Sequence, residues 1–367
     1  MRIAFVVNTY PPRLGGLEQH LFHLTQGLTD VGHDVTVLTI GSPMGQRQDG
    51  KVAVLTGRAN FPVADVISFP HLGSRRRITT FLREGNFDVV SVHTRFFPMS
   101  FVGVRAAHAA GIPAVHTEHG SGFVASNSPI IGPASKIVDL TLGRYVLHHA
   151  DRVLGVSQEA ADFAERLGAP NADVFYNAIT PSEATTSPVD RPGHLVFVGR
   201  MVPGKGWDTY LEAVANLRAQ GHEVDGEMLG AGADLDAARA LAKKLGVDGV
   251  VAIPGRVPAD QVRRSLAGAT LVNPTVLSEG FQTTMLEAIA ESGRVVTFPV
   301  PGAEVLRDAG MPVIITGERT TQSLTQALEG YVRQPPALAA PGLIDAWTWP
   351  HRVREYAAIL DDVVKNS

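Results

Sequence analysis

The sequence predicts two doubly wound α/β domains in tandem. Three observations predict it. Short apolar runs alternate with amphipathic stretches along the whole chain. A polar stretch with three prolines, Thr180 to Gly193, interrupts the alternation near the midpoint. The 367 residues also suit two domains of about 150 residues better than one or three.

In the first half, Arg2 to Val7 reads as a strand, almost all apolar. Leu17, Leu21, Leu24 and Leu28 follow at spacings of four, three and four, which is one face of a helix. Gly32 ends that helix, and Val35, Val37 and Leu38 lie in the next strand. Further strands are expected at Val52–Leu55, Phe87–Val92, Ala114–His116, Val153–Val156 and Val174–Tyr176. After the linker come strands at Leu195–Val198, Glu223–Leu229, Val250–Ile253, Leu271–Asn273, Val295–Phe298 and Val313–Ile315. Helices are expected between them, at Trp207–Gln220, Ala233–Leu245, Ala259–Ala267, Thr283–Ser292 and Thr321–Val332. Ala346–Val364 reads as a last helix, with Trp347, Trp349, Val353, Tyr356 and Leu360 roughly on one side. The expected organisation is thus residues 1–178, residues 193–345 and a terminal helix at 346–367.

Composition removes several functions. Charged residues are 19% and hydrophobic ones 44%, so the chain can fill cores and is not a disordered polyampholyte. There is no cysteine, which excludes disulfides, thiolate metal sites and a cysteine nucleophile. A net charge of −4 gives no footprint for nucleic acid. No apolar stretch approaches the ~18 residues of a membrane span, and the N-terminus lacks a secretory pattern, so a cytoplasmic protein is expected. Arg75, Arg76, Arg77 and Arg83 form a basic cluster on a helix. It reads as a solvated face, with peripheral contact to an anionic membrane as the alternative.

Ligands of open α/β sheets bind beyond the carboxyl ends of the strands, so the loops there carry the motifs. Gly15 and Gly16 precede the first helix and allow close backbone approach by an anion, although an ordinary strand–helix turn has the same form. Gly199-Arg200-Met201-Val202-Pro203-Gly204-Lys205-Gly206 nearly matches a phosphate-binding P-loop, but Gly206 replaces the hydroxyl residue that would hold Mg²⁺. Two cations remain on a glycine-rich loop, able to neutralise a diphosphate without a metal unless they are plain surface charges. Glu279 and Glu287 flank a helix start at Gly280, Phe281, Gln282 and Thr283, whose N–H groups suit a phosphate. Glu287, amid Met285, Leu286, Ala288 and Ile289, suits a ribose diol. His116-Thr117-Glu118-His119 follows a strand and suggests polarising histidines in a cleft, or structural ones, with no third metal ligand evident. Asp234 and Asp236 have a metal–nucleotide spacing, but residues two apart on a helix diverge.

With these residues together, the chain resembles glycosyltransferase family 4, of the GT-B fold. The resemblance runs from Tyr10-Pro11-Pro12, Gly15-Gly16-Leu17-Glu18 and Gly32-His33-Asp34 through the Arg200–Lys205 loop and the Glu279–Glu287 pair to the tryptophan-containing last helix. It implies two Rossmann-like domains facing a cleft, with the last helix crossing back to the first domain. It also implies retaining transfer from a nucleoside-diphosphate sugar without a cofactor or metal. By position, His116, Arg200, Lys205 and Glu279 would be catalytic. Gly15, Gly16, Gly199, Gly280, Phe281, Gln282, Thr283 and Glu287 would bind the donor. Gln282 and Arg294 depart from the family pattern and leave the sugar open. A UDP-sugar is favoured over GDP-mannose, and a sugar or lipid-linked acceptor is expected. Three rival readings remain: a nucleotide-sugar epimerase or hydrolase of the same fold, a P-loop NTPase, which Gly206 disfavours, and a non-enzymatic sugar-binding protein.

Overall fold

The computed structural model describes residues 1–13, 15–63, 67–123, 131–180, 188–277, 280–339 and 342–367. The chain divides into two compact units. The first holds Met1–Ala178 and Trp349–Ser367, together with Gly280 and Phe281; the second holds Ile179–Ser278 and Gln282–Thr348.

The first unit runs β1 (Arg2–Val6), α1 (Gly16–Asp30), β2 (Asp34–Gly41), β3 (Gly45–Asp49), β4 (Val52–Val63), β5 (Ile67–Pro70), α2 (Ser74–Glu84), β6 (Val89–His93), α3 (Pro98–Ala110), β7 (Ala114–Glu118), α4 (Ile131–Val138), α5 (Arg144–His149), β8 (Arg152–Gly155), α6 (Gln158–Leu167) and β9 (Asp173–Val174). One π-helical turn, Asp139–Gly143, joins α4 to α5. The sheet order is β3-β4-β2-β1-β6-β7-β8-β9, with β5 paired to β4. The pairs from β4 to β9 are parallel, and β3 and β5 are antiparallel to β4.

Alternate residues of β1 serve opposite layers, as the period of two requires. Ile3 and Phe5 face the layer of Leu21, Leu24 and Leu28, where the last helix also lies. Ala4 and Val6 face Val104 and Ala107 of α3. A Cβ at Gly27 would overlap Val353, so α1 and the last helix touch at this glycine. Gly103 lies against Val6 and Val92 in the same manner on the other face.

The second unit runs β10 (His194–Val198), α7 (Trp207–Ala219), β11 (Asp225–Leu229), α8 (Leu235–Lys244), β12 (Val251–Gly255), α9 (Ala259–Leu266), β13 (Thr270–Asn273), α10 (Thr283–Ala290), β14 (Arg294–Thr297), α11 (Ala303–Asp308), β15 (Val313–Ile315) and α12 (Thr321–Arg333). A short 3₁₀ turn, Asp345–Trp347, precedes α13 (Trp349–Lys365), the helix that belongs to the first unit. The sheet is wholly parallel in the order β12-β11-β10-β13-β14-β15.

Both sheets therefore reverse direction beside their first strand, at β1/β6 and at β10/β13. That reversal is where open α/β sheets bind ligands. Arg294 explains its own oddity. It is buried, pairs through both terminal nitrogens with Asp190 (2.6 and 2.9 Å) and donates to the Pro336 carbonyl. It fastens the chain on either side to β14. Among the described residues no helix is long and apolar enough to cross a membrane.

Candidate functional site

In the first unit, the loop after β1 is held down by Tyr10. Its ring is buried and its hydroxyl meets Thr25 Oγ1 of α1 at 2.8 Å. Burial pushes that phenol up to about 12, so it stays neutral. Arg47 donates to the Pro11 carbonyl from the other side. Gly15 leads into α1, and a Cβ there would overlap the Glu18 carboxylate. At Gly16 a Cβ would meet nothing. Among the described residues no contact demands glycine at Gly16; open backbone at a helix N-terminus is what an anion needs.

Three histidines meet at the carboxyl ends of β6 and β7: His20 from α1, His93 at the end of β6 and His119 just past β7. His93 Nδ1 is 3.1 Å from His119 Nε2, and His93 Nε2 is 3.0 Å from Ser91 Oγ, which in turn meets Tyr356 Oη of α13 at 2.8 Å. His20 stands edge-on to His119 with centroids 4.7 Å apart, and its Nδ1 is 3.0 Å from Asn177 Oδ1. Burial lowers the basicity of all three, His119 to about 4 and the other two well below their usual value, so each is neutral near pH 7.

His116 does something different from what the motif suggested. It sits inside β7, wholly buried, with Nε2 3.2 Å from Glu118 Oε2. A side chain with no exposed surface does not reach a sugar. His119 lies one residue past the strand and is partly exposed. Glu118 is the centre of a buried ion cluster. Burial pushes its carboxyl up, but Arg95 with the His116 and Gly120 hydrogen bonds outweighs this and holds it at about 2. Arg95 Nη1 donates to Glu118 Oε1 at 2.7 Å and Nη2 to Asp139 Oδ2 at 3.0 Å. The π-helical turn puts Asp139 there, and burial raises its carboxyl against the pull of Arg95. This cluster was not legible in the sequence, because Arg95, Glu118 and Asp139 sit far apart in the chain with no spacing signal.

In the second unit, the loop after β10 carries Gly199, Arg200 and Lys205. Arg200 is exposed and Lys205 half-buried. Gly204 and Gly206 both have positive φ, 82° and 83°, and a Cβ at Gly206 would overlap the Pro274 backbone. The Gly204 carbonyl accepts from Val276 N–H (2.8 Å) and Thr275 Oγ1 (3.2 Å). The cation loop is thereby pinned to the segment leaving β13. Gly230-Ala231-Gly232 supports the loop from behind. Met201 N–H donates to the Ala231 carbonyl (3.0 Å), and a Cβ at Gly230 or Gly232 would overlap the Gly199 or Met201 carbonyl.

After β13 the chain enters α10 at Thr283. Gln282 is buried, and its Nε2 has no hydrogen-bond partner among the described residues. Glu287 lies one turn further, half-buried, and burial raises its carboxyl against the nearby Arg263. Gly280 and Phe281 group with the first unit. The Phe281 carbonyl accepts from Asn177 Nδ2 (3.4 Å), and a Cβ at Gly280 would overlap the His119 carbonyl. Glu279 lies outside the described residues, as do residues 181–187 of the expected linker. Asp234 and Asp236 do diverge: the first accepts from Trp207 Nε1 (3.2 Å), the second pairs with Arg239 (3.4 Å).

Family models for Glycosyltransferase Family 4 and for Glycosyl transferases group 1 match residues 14–183 and 192–334. The chain belongs to glycosyltransferase family 4. Its relatives include an uncharacterized glycosyltransferase of Methanocaldococcus jannaschii, 22% identical over 97% of each chain. Another is the D-inositol 3-phosphate glycosyltransferase of Gordonia bronchialis, 28% identical over 73% of this chain and 64% of that one. Sucrose-phosphate synthase from Thermosynechococcus elongatus matches the fold with a TM-score of 0.77 at 16% identity, over 100% of both chains. Anabaena HepE in complex with UDP-glucose matches with a TM-score of 0.72 at 18% identity, over 99% of this chain and 100% of that one. The fold of this glycosyltransferase is GT-B, with two α/β domains built on parallel sheets.

Proposed function

We propose that this glycosyltransferase moves a hexosyl or N-acetylhexosaminyl group from a UDP-sugar to an acceptor hydroxyl, retaining the anomeric configuration and using no metal. One observation carries the reading. Within the second unit, the Gly204 carbonyl ties the Arg200–Lys205 loop to the segment that leads into α10. Two cations and a helix N-terminus thus belong to one strand-end surface, at the point where the sheet order reverses.

Breaking a sugar–phosphate bond leaves negative charge on the diphosphate. Arg200 and Lys205 stabilise that charge more in the transition state than in the ground state. Glu287 takes the ribose diol. The departing phosphate accepts the proton of the acceptor hydroxyl on the face it leaves, which gives retention. His119, neutral and at the end of β7, takes the role beside the donor sugar that the resemblance gave to His116. The uridine preference is supported by HepE, whose structures hold UDP and UDP-glucose. The setting we infer is cytoplasmic synthesis of cell-envelope glycan or glycolipid.

The test is transfer from a panel of UDP- and GDP-sugars in excess chelator, with product anomers read by NMR. Retained configuration with full activity is expected. Activity abolished by chelator and restored by Mg²⁺ or Mn²⁺, an inverted product, or strict use of GDP-sugars would overturn it.

A further inference from the structure

The spacing of the β7 motif supplies no third metal ligand, but the fold brings two more histidines to His119. One ring nitrogen each of His20, His93 and His119 lies within 4.8 Å of the other two. The closest pair, His93 Nδ1 and His119 Nε2, is 3.1 Å apart. Zinc held tetrahedrally by imidazoles at about 2.0–2.1 Å keeps its nitrogen ligands about 3.3 Å apart. Ring rotations that close a gap of at most about 1.5 Å would therefore seat an ion. All three rings are neutral, the form that ligates a metal. His20 is 4% exposed, and its Nε2 has no hydrogen-bond partner among the described residues. A buried ring nitrogen left without a partner is costly, and a ligand at that atom recovers the cost.

Imidazoles that ligate a metal are held by a hydrogen bond at their other nitrogen, which fixes the tautomer and orients the ring. Two of the three already have that support. His20 Nδ1 donates to Asn177 Oδ1 at 3.0 Å, and the amide is turned that way because its Nδ2 donates to the Phe281 carbonyl. Nε2 is then the nitrogen that His20 has left for an ion. His93 Nε2 is 3.0 Å from Ser91 Oγ, which is 2.8 Å from Tyr356 Oη. Hydroxyls both donate and accept, so Ser91 can take a hydrogen bond from His93 Nε2–H and leave Nδ1 bare. Packing fixes the same two rings. Trp349 stands edge-on to His20 with centroids 5.1 Å apart, and Phe5 stacks on His93 at 5.7 Å. Of the three, only His119 is partly exposed, which gives an ion a way in and leaves room for water as a fourth ligand.

We infer that His20, His93 and His119 form a binding site for a divalent transition-metal ion such as Zn²⁺, with a fourth position open to water. Imidazole nitrogens favour zinc, copper or nickel over magnesium, which takes oxygen ligands. An ion bound there occupies His119, the histidine set beside the donor sugar in the mechanism above, so it blocks transfer and does not assist it. That inhibition rests on the proposed reaction; the binding does not.

The experiment uses the full chain without a histidine tag, stripped with chelator and titrated with Zn²⁺ by calorimetry. A single ion per chain is expected, with Mg²⁺ at least about a hundredfold weaker. Of the 13 histidines, His20, His93 and His119 are those whose ring signals Zn²⁺ should move most in NMR, a readout that needs no variant. His20→Gln and His119→Gln are each expected to weaken Zn²⁺ at least about tenfold. His23→Gln removes a ring that stacks on Trp349 outside the cluster and should bind Zn²⁺ as the wild type does. Zn²⁺ is expected to inhibit transfer over the concentration range in which it binds, and chelator to reverse it. Mg²⁺ as tight as Zn²⁺, wild-type Zn²⁺ affinity in both cluster variants, or signal changes centred on other histidines overturns the site. Full transfer with the site occupied overturns the inhibition. No transfer from any UDP-sugar, with Zn²⁺ bound as expected, overturns the donor reading and leaves the metal site standing.

Discussion

At the scale of single residues, Glu287 and Lys205 separate binding from chemistry. Glu287 is half-buried on α10, and burial already raises its carboxyl, so the acid sits where a hydrogen-bonding ligand would relieve it. Glu287→Ala is expected to weaken UDP by about 10- to 100-fold, the equivalent of one charged hydrogen bond at roughly 1.5–3 kcal/mol. Calorimetry on the folded variant checks it, and unchanged affinity removes the ribose role. Lys205 should matter most as the diphosphate leaves. Lys205→Ala is expected to lower kcat by about 10²–10³ with a smaller change in UDP affinity. Full turnover with only a raised KM would mean that Lys205 binds donor and transition state alike. The two histidines of the β7 motif are distinguished in the same way. His119→Ala should depress kcat in a protein of near-normal stability, whereas His116→Ala should mainly lower stability by leaving Glu118 short of a partner. Equal kinetic damage from both, at equal stability, would return the role to His116.

At the scale of elements, the donor site depends on backbone packing as much as on charges. Gly206 starts α7 from a left-handed conformation and lies directly on Pro274. Gly206→Ala combines an unfavourable φ with an overlap, and a loss on the order of 1–3 kcal/mol is expected, with donor affinity falling too as the loops part. Urea unfolding alongside UDP calorimetry checks both; a fully stable variant with normal affinity would show that the loops are not coupled. Arg200 and Lys205 of the P-loop-like spelling do lie on a glycine-rich loop, between β10 and α7. The reason for its glycines lies elsewhere in the chain, at Pro274 and Thr275, where no local pattern points. The strand β3 was missed for a related reason. Its Gly-Gln-Arg-Gln-Asp sequence has no apolar alternation, because it is an edge strand held by its ladder with β4 and not by a core.

At the scale of the molecule, stability should follow pH through the three neutral histidines. Each has a folded pKa below its unfolded value, so the unfolded chain binds protons that the folded one refuses. Their stability contribution is present above about pH 6.5 and is lost as pH falls toward the folded values. With three groups the slope approaches about 4 kcal/mol per pH unit below pH 6. Glu118, held at about 2, acts in a separate and lower window, below its unfolded value near 4.5. Urea melts at pH 7.5, 6 and 5 check this, and His93→Gln should flatten the curve by about one proton. A pH-independent midpoint between 7.5 and 5 would mean that the cluster takes up protons while folded.

The sequence by itself determined the fold class, the approximate strand and helix positions and the family. Each of those is written locally, in apolar periodicity, in glycines next to strand ends and in charges at fixed spacings. Leu21, Leu24 and Leu28 are the buried stripe of α1, and Arg200 and Lys205 stand on the loop after β10, as their spacing required. Only the tertiary structure decided which histidine faces outward, because exposure depends on what β6, α1 and α13 place around β7. Only it could gather His20, His93 and His119, or Arg95, Glu118 and Asp139, from separate segments of the chain. It also showed two adjoining cavities in the first unit. A cavity is a property of surfaces that fail to meet, and no run of residues records which neighbours will be missing.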